Sequence, residues 1–176
     1  LLKVDDDLLT AYTDAENAYD EAEGAETPDE EAVAAAREAS LVVLTSPNNP
    51  TGDVAPLALV RRVCEACPGL VLVDEAYGEF AEEGASAEAL LAECDNLLVL
   101  HTLSKAFALA GARCGYVIAA PDVVDVLAAV RQIYSVNVLT QAAALVAVKR
   151  REEFSPVVAQ IRAERTRLFE ALSRIE

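Results

Sequence analysis

Five side chains that could act on one ligand stand at or just after apolar runs of this chain. They are Asn49, Asp74, Tyr77, Lys105 and Arg113, separated by 25, 3, 28 and 8 positions. Lys105 is one of only three lysines among 176 residues, and it stands at the mouth of the apolar segment "AFALAG". A desolvated amine loses proton affinity and becomes nucleophilic toward a carbonyl. The sequence therefore predicts covalent chemistry at Lys105.

The other charged candidates suit a ligand that carries charge of its own. Asp74 is the first charge after "LVLV", and a carboxylate near a sheet edge needs a cation to offset its desolvation. Arg113 has the planar fork that binds phosphate, and Thr102 and Ser104 add hydroxyls. Taken singly, each residue has an ordinary alternative: a turn cap, a surface salt bridge or a core hydroxyl.

The remaining candidates are hydrogen-bonding groups on turns. Asn49 lies in "SPNNPTG", whose prolines and glycine predict a stiff turn that directs the amide. Tyr77 brings a phenol to the same rim. Pyridoxal 5′-phosphate carries the groups that all of these residues would bind. It has an aldehyde for the lysine, a pyridinium for the aspartate, a phenolate oxygen for the asparagine and tyrosine, and a phosphate for the arginine.

Four short apolar runs predict buried strands that would position these residues. The runs are "LVVLTS" from 41, "LVLVDEAY" from 70, "NLLVLHTLS" from 96 and "GYVIAAP" from 115. Helical patterns from Pro56 and Ser86 separate the first three, which indicates parallel pairing with right-handed crossovers. The gap from Ser104 to Cys114 is too short for a parallel crossover, so the fourth strand is expected to be antiparallel.

Helices are predicted on both sides of this strand region. "TPDE" opens a helix that runs to about Ala39, with Thr27 as its cap. After Pro121 three helical patterns follow, and Ser155 and Pro156 are expected to begin the last. The chain starts with Leu1 and stops within a helical pattern, so we expect a piece of a longer protein.

Composition narrows the class of partner. With 30 acidic and 14 basic residues the formal net charge is −16, which disfavours nucleic acid and anionic membranes. Eleven of the basic residues are arginine, and this acid excess favours a protein of a salt-loving organism over an ordinary acidic bacterial one. No long apolar run or basic leader is present, so a cytoplasmic location is expected.

The cysteines admit two interpretations. Cys64 and Cys67 form a C-x-x-C, but the single histidine, His101, is distant in sequence and there is no second pair, so we expect no metal site. A helix face that packs two small apolar side chains is favoured over a redox centre.

The strings "SPNNPTG", "VDEAYGEF", "TLSKAFALAGARCGY" and "YSVNVLTQAAA" resemble the fold-type I aminotransferases of class I/II, and in particular the histidinol-phosphate aminotransferase family. The resemblance covers the chain from about Leu41 to its end. It implies a three-layer α/β/α large domain with a mostly parallel sheet and one antiparallel strand, here incomplete. It also implies pyridoxal phosphate as cofactor, L-histidinol phosphate and 2-oxoglutarate as substrates, and a homodimer.

The resemblance also implies roles for the candidate residues. Lys105 would hold the cofactor and shuttle a proton, Asp74 would pair with the ring nitrogen, and Asn49 and Tyr77 would bind the ring's 3-oxygen. Residues 102, 104 and 113 would bind the phosphate. Residues 1–26 would be an acidic variable segment, 27–154 the central part of the cofactor domain, and 155–176 a helix leading toward a small C-terminal domain.

Departures from the family pattern leave alternatives open. The family's N-terminal glycine-rich phosphate loop and its C-terminal carboxylate-binding arginine are missing, so we expect little or no turnover by this chain alone. The rival activities are threonine-phosphate decarboxylation and aromatic amino-acid transamination by the same fold. A non-catalytic, truncated α/β domain is the rival from another class.

Overall fold

The computed structural model describes residues 28–175, and a mixed four-stranded sheet lies at its centre. Its strands, in the spatial order β1-β2-β3-β4, are Leu41–Thr45, Leu70–Asp74, Leu97–Thr102 and Gly115–Ala119. β1, β2 and β3 pair in parallel, whereas β4 runs antiparallel to β3. The predicted sheet is confirmed, including the reversal that the short connection before β4 requires.

Five α-helices flank the sheet in the described residues. They are α1 (Pro28–Ala36), α2 (Leu57–Ala66), α3 (Pro121–Val130), α4 (Val138–Lys149) and α5 (Ser155–Leu172). Short 3-10 helices occur at 78–80, 87–90, 110–112 and 151–153. Within 28–175, none of these helices has both the length and the apolar composition needed to cross a membrane.

The first helix is shorter than predicted. Beyond Ala36 the chain continues in turns, in which amides 37 to 39 donate to the carbonyls three residues before them at 3.2–3.3 Å. The predicted cap, Thr27, and the acidic segment 1–26 lie outside the described residues.

The predicted helix from Ser86 is wrong, because only a 3-10 turn, Ala87–Leu90, forms there. The Ser86 hydroxyl and the Ala87 amide both donate to the Glu75 carboxylate, at 2.7 and 2.6 Å. These bonds hold the start of the segment against the end of β2, and β3 begins at Leu97.

The predicted cap of the last helix is also wrong. Ser155 is the first helical residue, and its side chain makes no capping bond. Phe154 before it already has helical angles, φ −87° and ψ −19°. The chain enters α5 directly from the 3-10 turn 151–153, so the preceding turn takes the place of a capping side chain.

The main core lies between α1, α2 and one face of the sheet. Val60 and Val63 of α2 pack with Val71, Val73 and Val99 of β2 and β3, and all five are almost fully buried. The opposite face carries Val43, Leu72, Leu98 and Leu100, of which Leu98 is buried and the other three are half-buried. The described part thus has a complete helical layer on one face of the sheet.

Close backbone approaches fix the starts of the strands. A Cβ at Gly69 would lie 1.9 Å from the Ser40 carbonyl oxygen, so only glycine fits where the chain enters β2. Before β3, Asn96 Nδ2 donates to the carbonyls of Cys64, Cys67 and Gly69 at 3.1–3.2 Å. This side chain joins the end of α2 to the entries of β2 and β3.

Candidate functional site

The carboxyl ends of β1, β2 and β3 lie at one edge of the sheet, because these strands are parallel. Backbone bonds extend the pairing past the strand ends: the Ser46 amide donates to the Asp74 carbonyl at 3.0 Å, and the Glu75 amide donates to the Leu100 carbonyl at 2.8 Å. The segments that follow the three strands therefore begin side by side. In open α/β sheets this edge is where ligands bind.

Three of the candidate residues meet directly at this edge, one from the segment after each parallel strand. Asn49 Nδ2 lies 3.5 Å from the Tyr77 hydroxyl oxygen, a long hydrogen bond. Lys105 Nζ lies 5.0 Å from the centroid of the Tyr77 ring, within the range of a cation–π contact. The tyrosine thus joins residues that are 28 positions away on either side of it in sequence.

Asp74 is the last residue of β2 and is half-buried. It pairs in register with Thr45 of β1 and Leu100 of β3, so its side chain lies on the same face as Leu100 and Thr102. Its Oδ1 accepts a hydrogen bond from the Ala76 amide at 2.9 Å. In the described residues it has no cationic partner, so the carboxylate is available to a positively charged ligand group.

The hydroxyl of Thr102 organises the segment after β3. Thr102 Oγ1 accepts from the Ser104 amide at 3.2 Å and donates to the Cys114 carbonyl at 3.5 Å. The Leu103 amide also donates to that carbonyl, at 3.0 Å. These bonds close the segment into a loop at the edge, with the Ser104 side chain at its start.

Arg113 stands at the end of the same loop, immediately before β4. Its Nη1 donates to the Ala110 carbonyl at 3.2 Å, and it has no carboxylate partner within 28–175. Arg113 and Ala108 have positive φ angles of 50° and 54°, the two non-glycine cases in the described residues. Such backbone conformations are costly for side chains with a Cβ and are concentrated at functional sites. No contact joins Arg113 to Lys105 here.

One expectation about Lys105 is wrong. The sequence suggested a desolvated amine, but Lys105 is exposed, and burial begins with Ala106 and Phe107. These two side chains form a second core cluster with Leu103 and Ala147 of α4. The apolar run after Lys105 therefore turns into that cluster and leaves the amine at the surface.

A polar cluster around Glu75 and His101 was not predicted from the sequence. Glu75 is 2% exposed, and its carboxylate accepts the bonds from Ser86 and Ala87 that hold the second crossover. His101 is 7% exposed, and its ring stacks on Tyr116 with centroids 5.1 Å apart. Two features of the sequence could have indicated this cluster: Glu75 is a second charged residue directly after Asp74, and His101 lies inside an apolar strand.

The cysteines serve the core. Cys64, Cys67 and Cys94 are buried, and the first two pack between α1, α2 and the sheet as small apolar residues. Burial, and then the neighbouring Cys94, raise the pKa of the Cys64 thiol to about 12, which makes it a poor nucleophile. Residues 28–175 contain no group of three or more His, Cys, Asp or Glu side chains arranged to hold a metal ion.

Comparison with known proteins gives a consistent result. The profile of the family described as aminotransferase class I and II matches residues 4–176. The histidinol-phosphate aminotransferase of Thermobifida fusca is 51% identical over 144 residues, which is 80% of this chain and 39% of that protein. The crystal structure of histidinol-phosphate aminotransferase from Sinorhizobium meliloti in complex with pyridoxal-5′-phosphate is 32% identical, with a TM-score of 0.67 over 74% of this chain and 36% of that one.

A decarboxylase shares the same fold. The crystal structure of L-threonine-O-3-phosphate decarboxylase from Porphyromonas gingivalis is 25% identical, with a TM-score of 0.68 over 78% of this chain and 42% of that one. The chain spans about two fifths of the length of the curated relatives it matches. Its sheet and helices therefore correspond to part of a fold-type I domain, which confirms the predicted fold class.

Proposed function

This chain belongs to the aminotransferase class I and II family, and we propose that it contains the cofactor site of a pyridoxal-phosphate enzyme. The proposed reaction transfers the amino group of L-histidinol phosphate to 2-oxoglutarate. The names of the relatives support the amino donor, and the solved structure with pyridoxal-5′-phosphate supports the cofactor. The convergence of Asn49, Tyr77 and Lys105 from three strand ends is the observation that carries the proposal.

The charges at this edge fit the cofactor. Asp74, Lys105 and Arg113 form none of the ion pairs found within 28–175. The cofactor has one group for each of these unpartnered side chains. Its pyridinium nitrogen matches the carboxylate, its aldehyde matches the amine, and its phosphate matches the guanidinium. This complementarity is independent of the comparisons, because it follows from which side chains lack a partner.

The bound cofactor supplies an electron sink for the substrate's α-carbon. Lys105 would hold the aldehyde covalently, and its Nζ, once the substrate's amino group has displaced it, would move the proton to and from that carbon. The Asp74 carboxylate keeps the ring nitrogen protonated, since an anion in a half-buried position favours a neighbouring positive charge. Lys105, Asp74 and Tyr77 are thus the proposed catalytic residues.

The other residues orient the ring. Asn49 and Tyr77 would donate to the ring's 3-oxygen, and the 3.5 Å between Asn49 Nδ2 and the Tyr77 hydroxyl supports this because the two donors lie close together. Thr102, Ser104 and Arg113 bind the phosphate, with Thr102 holding the loop in shape. Arg113 has a left-handed backbone at the end of that loop, and its guanidinium forms no ion pair within 28–175.

The domain division and cellular setting extend the proposal. Residues 27–154 form the central part of the cofactor domain, 1–26 an acidic variable segment, and 155–176 a helix toward a small C-terminal domain. The acidic composition supports an enzyme of a salt-loving organism with no nucleic-acid partner, and the proposed location is the cytoplasm. The half-buried sheet face and the exposed apolar side chains of α4 and α5 support a homodimer of the complete protein.

The test of the cofactor site uses the small number of lysines. The chain is incubated with pyridoxal phosphate, reduced with borohydride and digested, and the modified peptide is identified by mass spectrometry. We expect the label at Lys105, with its loss in Lys105→Ala and its retention in the matched control Lys149→Ala. A label that survives in Lys105→Ala would exclude this lysine as the anchor.

The test of the substrate compares amino donors. In a single-turnover assay of the polypeptide that carries this chain, L-histidinol phosphate should convert the cofactor to its amine form, and 2-oxoglutarate should restore it. O-phospho-L-threonine and L-phenylalanine serve as competing donors. Carbon dioxide released from O-phosphothreonine would instead identify a decarboxylase, and metal binding at Cys64 and Cys67 without any cofactor absorbance would indicate a non-catalytic domain.

A further inference from the structure

A cavity of about 590 Å³ opens on the sheet face opposite Asp74 and Thr102. His101 and Tyr116 form its floor, because adjacent strand residues alternate between faces and these two pair in register across β3 and β4. Glu79 and Glu88 line it from the segments that follow β2, and Phe154 lines it from the start of α5. The cavity is thus separate from the proposed cofactor site.

Every buried side-chain nitrogen or oxygen that lacks a hydrogen bond in the described part of the chain lies on this cavity. The atoms are Glu79 Oε2, His101 Nδ1 and His101 Nε2. His101 Nε2 lies 2.8 Å from Glu88 Oε1 and 3.8 Å from Glu75 Oε2, but neither pair is aligned as a hydrogen bond. Buried polar atoms without partners are costly, so their clustering on one cavity indicates a missing ligand.

The cavity has an excess of negative charge. No lysine or arginine within 28–175 forms an ion pair with Glu75, Glu79 or Glu88. Two arginines line the cavity, and each lies near a carboxylate: Arg162 pairs with Glu82, and Arg151 Nε lies 3.5 Å from Oε1 of Glu152, which also lines the cavity. An anionic ligand would therefore meet carboxylates rather than a free cation.

Aromatic rings complete the walls. The His101 and Tyr116 rings are stacked, and the rings of Phe107 and Phe154 lie with centroids 5.2 Å apart. Aromatic faces attract organic cations, most strongly where water is excluded. The side chains of the described residues are not arranged to hold a metal ion, which favours an organic cation over a metal.

We propose that this cavity is a binding site for an organic cation, an ammonium or guanidinium group. Its N–H groups donate to the carboxylates of Glu79 and Glu88 and to a ring nitrogen of His101, and its alkyl part lies against Phe107 and Phe154. Two sources share this chemistry: a free small amine, or an arginine or lysine side chain of a polypeptide.

The first experiment is calorimetric titration of the chain with n-propylguanidinium, with n-propylurea as a neutral ligand of the same shape. We expect one saturable site for the cation and affinity at least about tenfold lower for the urea, the difference expected of one charge-assisted hydrogen bond. Equal affinity for the two probes would overturn the proposal. Binding should persist in Lys105→Ala, which separates this site from the proposed cofactor function.

Two variants locate the site. Glu88→Gln removes the half-exposed carboxylate at the rim and should weaken n-propylguanidinium binding about tenfold. His101→Arg places a guanidinium of the chain's own next to Glu75 and Glu88, so it should abolish binding and raise the melting temperature. Unchanged binding in folded Glu88→Gln, confirmed by its cooperative melting, would contradict the proposal.

A third probe distinguishes the sources of the cation. The peptide acetyl-Gly-Arg-Gly-amide carries the same guanidinium on a polypeptide backbone. Tighter binding of the peptide than of n-propylguanidinium indicates a side chain as the natural occupant, and tighter binding of the small cation indicates a free amine. If neither probe binds, the cavity is not a cation site.

Discussion

The carboxylates of Asp74 and Glu75, adjacent in sequence, lie on opposite faces of the sheet. Asp74 shares a face with Thr102, where the proposed cofactor binds, and forms no ion pair within 28–175. Glu75 turns to the other face, where it binds Ser86 and Ala87. Because successive side chains of a strand point to opposite faces, one of these two carboxylates is available to a ligand and the other stabilises the fold.

This division predicts opposite effects for two matched substitutions. Asp74→Asn should weaken pyridoxal phosphate binding while changing the free energy of unfolding little, because its one local bond can be kept by an amide oxygen. Glu75→Gln should cost about 1–3 kcal/mol of unfolding free energy, because a buried charged acceptor of two hydrogen bonds is replaced. Urea denaturation and cofactor titration of both variants measure this. Similar profiles for the two would refute the division.

Two substitutions of Tyr77 should separate the contributions of its ring and of its hydroxyl to cofactor binding. Tyr77→Phe removes the hydroxyl 3.5 Å from Asn49 but keeps the ring 5.0 Å from the Lys105 amine. We expect cofactor affinity to fall about tenfold, the equivalent of one hydrogen bond, with the borohydride label still at Lys105. Tyr77→Ala, which removes ring and hydroxyl, should lower affinity further. Wild-type affinity in Tyr77→Phe would remove the hydroxyl from the proposed site.

Gly115 should tolerate no side chain, whereas Gly111 should accept one. A Cβ on Gly115 would lie 2.6 Å from the His101 carbonyl oxygen, where β4 begins to pair with β3. Gly115→Ala should therefore destabilise the chain by about 1–3 kcal/mol, as forced overpacking does. Gly111→Ala meets no atom within 4 Å and should change stability by less than about 1 kcal/mol. Thermal melts compare the two directly.

Glu79 should make stability depend on pH. Burial, partly opposed by its own backbone hydrogen bond, raises the pKa of its carboxyl above the ordinary value. The folded state therefore holds the proton more tightly than the unfolded state, and stability falls as pH rises from the ordinary carboxyl pKa through the raised one. Above that window Glu79→Gln should be the more stable protein, and below the ordinary carboxyl pKa the difference should vanish.

Melting curves of Glu79→Gln and the parent chain between about pH 2.5 and about pH 8 measure this effect, in buffers free of organic amines. Glu82→Gln is the matched control, because Arg162 lowers the pKa of that carboxyl. Its folded state holds the proton less tightly, so the contribution of Glu82 should be lost as pH falls rather than as it rises. A pH-independent difference for Glu79→Gln would contradict the prediction.

Much of the fold follows from local patterns. The four apolar runs became strands that begin within one residue of the predicted starts and end within three residues of the predicted ends, because buried strands need continuous apolar sequence. The antiparallel direction of β4 followed from the length of the segment between Ser104 and Cys114. The candidate residues could be named because each follows such a run and matches a family motif.

The sequence alone therefore determined where the strands lie along the chain, their directions, and the identity of the residues at their ends. Only the tertiary structure decided that Lys105 stays exposed, that the segment after Ser86 is a 3-10 turn, and that His101 and four glutamates line one cavity. These features depend on contacts between segments distant in the chain, such as Glu75 with Ala87 and His101 with Tyr116. Periodicity records which face a residue occupies, but not which partner meets it there.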